Sequence, residues 1–333
     1  MSKLSKRFVL LILSVGLFLT SLGGAVASAQ TSTGAAGNGI RISPVRSDLT
    51  INPGETRTLT LTVQNITSGD AEFQAIINDF IAGENEDGQP ALILDASKYA
   101  PSHSLKRYIS SIPNLTIPAG ESKQVGVVIS IPKGAAGGGY YGAVRFTPVG
   151  ESSKGVTLSA SVGTLILVKV PGDIKENVTL ESFDVRKGTD ATGGSSFFVS
   201  NKNLYAVARF QNSGNVHEQP FGKVIVKRGD KIVQSTEINN TDPRGNVLPD
   251  SVRRFNVKLD KVGQWGRYTV SGNFGYGSSG QLLSGDTSFI VVPLALIIGV
   301  IVIIALIVAL VFGLPRAIKR YNQRVISRAS RRR

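Results

Sequence analysis

The residues best suited to chemistry lie in IPKGAAGGGYYGAVRF, residues 131–146. Five glycines, Gly134, Gly137, Gly138, Gly139 and Gly142, accompany Lys133, Tyr140, Tyr141 and Arg145. A glycine-rich backbone beside a lysine can cradle phosphate when a strand precedes it and a helix follows. Here Val125, Val127, Ile129 and Ile131 alternate with other residues before it. After it, Tyr141, Ala143 and Arg145 alternate with Tyr140, Gly142, Val144 and Phe146. Period two on both sides predicts two strands, and no GK[ST] follows, so the segment reads as a hairpin connection. Recognition is the chemistry left to it. Aromatic faces with neighbouring donors suit sugars or extended peptides, which makes Lys133, Tyr140, Tyr141 and Arg145 the candidate ligand-binding residues. Strand alternation sends the two tyrosines to opposite faces, so one can reach a ligand while the other packs.

Other constellations are poorer. Gly275-Tyr276-Gly277-Ser278-Ser279-Gly280 spells GxGxxG. No helix or βαβ unit follows, so it reads as a glycine-rich hairpin near the membrane. The two histidines, His103 and His217, are far apart in the chain, and no HExxH, GxSxG or cysteine nucleophile is present. Glu84-Asn85-Glu86-Asp87-Gly88 resembles half a calcium loop, but Leu94 stands where the closing Glu belongs. A solvated hairpin tip is expected there. Neither catalytic residues nor a metal or cofactor site is predicted, and the chain reads as a non-enzyme. A wall-active hydrolase is the less favoured alternative.

The ends carry topology. Lys3, Lys6 and Arg7 precede an apolar run from Phe8 to Leu22, and Ala27-Ser28-Ala29 supplies small residues. This predicts a signal peptide over 1–29, cleaved between Ala29 and Gln30. Near the other end, residues 294–314 are almost wholly aliphatic, long enough to cross a layer of roughly 30 Å as a helix. Behind them PRAIKRYNQRVISRASRRR holds eight basic residues and no acid. The positive-inside bias then places the C-terminus in the cytoplasm and the bulk of the chain outside. Arg316, Arg320, Arg324 and Arg328 recur every fourth residue, which would let a helical tail lie along anionic lipid.

The net charge of +14 on 333 residues is topogenic rather than a nucleic-acid footprint. Removing the three basic residues of the start and the eight of the tail leaves 26 basic against 23 acidic residues. Cysteine is absent, so neither disulfides nor a lipoprotein anchor is possible. A cell membrane protein of a Gram-positive-type bacterium, single-pass, is the expected setting. No LPxTG precedes the apolar run, so sortase anchoring is not expected.

Between the ends the pattern is that of strands. Leu59, Leu61 and Val63 alternate with threonines and Gln64, and turn signals such as Asn52-Pro53-Gly54 and Ala119-Gly120 punctuate the chain. Leu105, Tyr108, Ile109 and Ile112 predict one short helix within 102–112. VKVPGD, residues 168–173, reads as a joint. The expected organisation is a spacer (30–39), a first Ig-like β-sandwich (40–171), a second (172–288), a transmembrane helix (292–314) and a basic cytoplasmic tail (315–333). The fold class is therefore all-β, with two tandem sandwiches and one membrane helix.

Ile42-Ser43-Pro44, the PGET turn (53–56) and IPAGESKQVGVVISIPKGAAGGGYYGAVRF (117–146) resemble the peptidoglycan-binding domain of WxL-interacting proteins. FQNSGNVHEQPFGKVIVKRGDKIV (210–233) and VLPDSVRRF (247–255) are similar to the Ig-like domain that follows it in that family. The resemblance implies a surface binding or scaffold protein that contacts the cell wall and other surface proteins. An accessory subunit of a membrane complex is the alternative.

Overall fold

The protein is described by a computed structural model that covers residues 35–37, 39–149, 161–189 and 193–330, with side chains outside the description at 35–37 and 324–330. The expected signal peptide and its cleavage point at Ala29 and Gln30 lie outside the described residues.

Ten strands build the first sandwich. They are β1 (Ala35–Gly37), β2 (Ile40–Ser43), β3 (Arg46–Thr50), β4 (Thr56–Asn65) and β5 (Ala71–Ala82), then β6 (Pro90–Leu92), β7 (Leu115–Ile117), β8 (Ser122–Ser130), β9 (Gly138–Pro148) and β10 (Val162–Val170). One sheet runs β1-β2-β4-β8 and the other β3-β10-β9-β5-β6, with β7 also on β5. The alternation seen in the sequence gives each sheet one apolar face. Ile42, Leu61, Val63, Val127 and Ile129 meet Phe73, Val144, Phe146, Ile166 and Val168 in a closed core.

The second sandwich pairs β11 (Val178–Lys187), β13 (Leu204–Asn212) and β16 (Ser251–Lys258) in one sheet. The other sheet runs β12 (Phe197–Phe198), β18 (Gln281–Val291), β17 (Gly266–Tyr276), β14 (Phe221–Arg228) and β15 (Lys231–Ile238). Aromatic rings fill its core: Phe210 meets Phe274 edge-on at 5.0 Å, and Tyr268 stacks on Phe289 at 5.4 Å. Strand β18 continues to Val291, past the boundary expected at 288.

Helix α1 (Leu294–Ser330) follows after only Val292 and Pro293, and it continues through Pro315 into the tail. Among the described residues it is the one helix long and apolar enough to cross a membrane, and none of its side chains is buried.

The short helix expected within 102–112 is not formed; a single 3-10 turn, Lys106–Tyr108, stands there. The buried Asp79 carboxylate accepts the amides of Ala100 and Lys106 and the Ser104 hydroxyl, at 2.9, 2.8 and 2.6 Å. These bonds pin the segment in an open shape. Ile109 then bridges to Ile129, and Ser110 donates its amide to Val128, so the chain leaves as a partial strand along β8.

Candidate binding surface and the domain joint

The glycine-rich stretch is the β8–β9 connection followed by β9, as its alternation requires. The four candidate residues do not converge. Lys133 is exposed in the loop, against the turn at Gly54, where a β-carbon would meet its side chain. Tyr140 is half-buried at the edge of the first core; its hydroxyl donates to Ala136 O at 2.9 Å and its ring meets Tyr108 at 5.4 Å. Tyr141 and Arg145 point to the opposite face of the sheet. Tyr141 is only 2% exposed. Arg145 donates to Asn78 Oδ1 at 2.9 Å and to Ser161 Oγ at 2.7 Å, and burial lowers its pKa.

Tyr141 is covered by the second sandwich. Phe80, Tyr141, Ala143 and Leu167 form a small separate core, joined from the other side by Leu248. Both histidines reach Tyr141, His103 at 5.8 Å and His217 at 5.6 Å between rings. Their separation in the chain is thus no guide to their separation in space. The Tyr141 hydroxyl lies 3.3 Å from His217 Nδ1. Burial lowers His217 to about 4 and raises Tyr141 well above its ordinary value. Both groups stay neutral and serve packing.

The motif Asn212-Ser213-Gly214-Asn215-Val216-His217 builds the joint. Asn212, fully buried, donates to Val216 O and Val247 O and accepts from Gly214 N, which shapes the loop. Asn215 then spans the joint: its side chain donates to Gly137 O and Asp173 O and accepts from Lys175 N, while its carbonyl takes Gly139 N at 2.7 Å. The glycines of the opening stretch are what permit this approach. A β-carbon on Gly137 would lie 2.6–2.8 Å from the backbone of Gly172 and Asp173, and one on Gly138 2.9 Å from Asn215 O. Their role is contact with the second sandwich, not phosphate binding.

The GxGxxG stretch also belongs to the joint. Strands β17 and β18 run antiparallel for eleven paired residues, which carries their turn to the end of the sandwich opposite Val291. The hairpin is therefore remote from the end where α1 leaves, whereas the sequence suggests that it lies beside the apolar helix. Its amides do bind anions, but these are the protein's own carboxylates. Gly277 N donates to Glu218 at 3.1 Å and Ser278 N to Glu176 at 2.8 Å. Glu176 also pairs with Lys169 of β10 at 3.3 Å. Burial, with Glu176 adding, raises Glu218 to about 7.

The acidic run is exposed at Glu84, Asn85, Asp87 and Gly88, as a hairpin tip should be, but Glu86 turns inward. It forms the β5–β6 turn and docks on the second sandwich. Arg209 Nε donates to Glu86 Oε2 at 2.7 Å, and Arg254 N donates to Glu86 O at 2.8 Å. That guanidinium holds the Glu86 carboxyl below its ordinary range. Among the described residues no group of three or more His, Asp or Glu is placed to hold a metal.

One open part of the first sandwich is the segment that Asp79 organises. Tyr99 is 47% exposed, and Lys106 Nζ and Arg107 Cζ each lie 4.7 Å from its ring centroid. Tyr108 and Tyr140 adjoin on one side. On the other, Pro101, Ser102 and His103 border a cleft of about 430 Å³ that extends to Leu248–Val252. Lys106 is half-buried and its ammonium donates to Ala96 O and Lys98 O at 2.6 and 2.9 Å, whereas Arg107 is exposed. An exposed guanidinium beside an aromatic face can hold a carboxylate and a sugar ring side by side. The polar pair Asn78-Asp79 inside the apolar strand AEFQAIINDFIA was the available signal for this site.

Residues 47–148 match the family model described as "WxL Interacting Protein, peptidoglycan binding domain". The first sandwich is thus similar to the peptidoglycan-binding domain of WxL-interacting proteins. The match starts within β3 and ends with β9, so it contains the Tyr99 surface and the glycine-rich stretch, while β2 and β10 complete the sandwich outside it. None of the curated proteins matches the chain. Among solved structures, the chain is similar to one described as a chaperone–tip adhesin complex of CFA/I fimbriae biogenesis, with 13% identity, 76% of this chain and 99% of that one covered, and a TM-score of 0.37. The class 5 fimbriae chaperone CfaA gives 13%, 77%, 100% and 0.36. The CsuC–CsuE chaperone–tip adhesion subunit complex of Acinetobacter baumannii gives 13%, 74%, 97% and 0.35. The assignment of two sandwiches rests on the strand pairing, not on these likenesses.

Proposed function

We propose that this chain is a WxL-interacting protein, a membrane-anchored surface scaffold whose first sandwich binds peptidoglycan without turning it over. The family match over residues 47–148 carries the reading. The Tyr99–Lys106–Arg107 surface, with Tyr108 and Tyr140 beside it, offers the chemistry: aromatic faces for sugar rings and the Arg107 cation for the carboxylates of stem peptides. Tyr141 and Arg145 act behind this surface, the first in the joint and the second on the sheet. Helix α1 is the anchor, the ectodomain faces outward and the basic tail meets anionic lipid inside. Surface proteins are the further partners of the second sandwich.

The test is sedimentation of the full chain, in detergent, with purified peptidoglycan. The parent should pellet with the wall. Tyr99→Ala and Arg107→Ala should each weaken binding about three- to tenfold, the size of one or two cation–π or charge-assisted contacts. A folded parent that stays in the supernatant would sink the reading; variants that bind like the parent would move the site elsewhere.

A further inference from the structure

The end of the second sandwich where α1 leaves carries apolar groups in the open. Trp265, the one tryptophan of the chain, is 63% exposed, Phe197 is 51% and Ile290 is 40% exposed. They share one level of the fold. Phe197 pairs with Ile290, Ile290 with Arg267, and Gly266 with Val291, the last residue of β18. The loop before β17 does not fold Trp265 inward although the core is adjacent. Tyr268, buried at 1%, accepts Gly263 N at 2.9 Å and donates to Trp265 O at 3.4 Å, which holds the loop from beneath. Arg228 lies over the indole at 5.3 Å, and Gly266 leaves it room, since a β-carbon there would meet the guanidinium at 3.0 Å.

The connection to the helix decides what faces these groups. Only Val292 and Pro293 separate β18 from α1, a reach of roughly 7 Å even when fully extended. With α1 in a bilayer, this end of the sandwich cannot stand clear of the headgroups, and an indole projecting from it spans the gap. The charge fits as well. Arg228, Arg267, Lys202, Lys231 and Lys261 gather at this end. Its acids are Asp230 and Asp260 among the described residues, and Asp260 is paired with Lys258 at 3.0 Å.

We infer that this end of the second sandwich is a lipid-contacting surface, in which Trp265, Phe197 and Ile290 enter the outer interface and the basic residues meet anionic headgroups. Tryptophan suits that position because its ring is apolar while its N–H prefers the wet headgroup level. The surface fixes the sandwich upright on the membrane instead of leaving it to swing on a tether. The inference rests on α1 being the anchor.

Trp265 is its own reporter. The full chain is reconstituted in vesicles of phosphatidylcholine and phosphatidylglycerol at about seven to three, and insertion of α1 is scored separately by resistance to carbonate extraction. Lipids brominated high on their acyl chains should quench the fluorescence by half or more, and acrylamide should quench severalfold less than it quenches free tryptophanamide. Arg267→Glu, which leaves the core and the helix alone, should at least halve the bromine quenching. An inserted protein whose tryptophan ignores brominated lipid and stays open to acrylamide overturns the inference while leaving the anchor intact. Release by carbonate sinks the anchor, and the inference falls with it.

Discussion

The two ends of the second sandwich treat exposed chemistry in opposite ways. At the joint, groups that usually face water are brought inside and partnered: Glu218 with Gly277, Glu176 with Ser278 and Lys169, Arg209 with Glu86. At the end where α1 leaves, groups that usually face inward, Trp265 and Phe197, are held out. Polar burial without partners is costly, so the joint's partners show that it is a closed interface of the fold. Apolar exposure without a partner is ordinary for single residues but informative when clustered and held rigidly. One end therefore completes the fold, and the other faces something outside it.

Substitutions can break this comparison, and the largest effect belongs to the joint. Gly137→Val places branched carbon where the backbone of Gly172 and Asp173 already lies. It should cost about 3 kcal/mol or more, read as a lower melting temperature and faster proteolysis between 171 and 177. Arg209→Ala removes one side of the Glu86 pair, whose side chains are 22% and 27% exposed. Partial exposure limits the loss to about 1–2 kcal/mol in denaturant titration.

The pH response sharpens the same point. Glu218, raised to about 7, keeps its proton in the folded chain at pH values where the unfolded chain, with a pKa of about 4.3, has released it. Its contribution falls as pH rises from about 4.5 through 7. His217, lowered to about 4, acts in the other direction, stabilising fully above about 6.5 and losing that contribution as pH falls toward 4. Between about pH 6.5 and 7.5 the parent should therefore lose thermal stability while Glu218→Gln stays flat. Below about pH 6.5 the variant should fall more steeply than the parent. Identical profiles would remove Glu218 from the joint's energetics.

The smallest effect is expected at the other end. Trp265→Ala should change thermal stability in detergent by less than about 0.5 kcal/mol, because the ring packs on little but Arg228. A loss comparable to Gly137→Val would mean that Trp265 completes the fold after all.

Alternation made the strands legible, from TLTLTVQN in β4 to KQVGVVIS in β8, and length and apolarity made α1 legible. The sandwich follows from those strands because each needs a second apolar face. Contacts between the sandwiches were not legible, since they depend on turns whose partners are distant in sequence. GENEDG is water-facing except at Glu86, whose docking was hidden because nothing local names Arg209, and GYGSSG seemed close to the membrane because sequence distance ignores an eleven-residue hairpin. The joint did leave one trace. Leu165-Ile166-Leu167-Val168 is an unbroken apolar run in β10, the mark of a strand covered on both faces, and its outer cover is the second sandwich. Residues 102–112 carry helical spacing without forming a helix, because spacing cannot show that a buried carboxylate, Asp79, will claim the Ser104 hydroxyl and the Lys106 amide.

The way the chain enters and leaves the second sandwich has a mechanical consequence. Strand β11 starts at the joint and β18 ends where α1 begins, so the entry and exit points lie at opposite ends. Tension between a wall-bound first sandwich and an embedded helix would run lengthwise along the strands. The ladders joining β11 to β13 and β17 to β18 would then be loaded in shear, with many hydrogen bonds sharing the force at once, instead of being opened one rung at a time. With two residues between β18 and α1, almost no slack precedes that load.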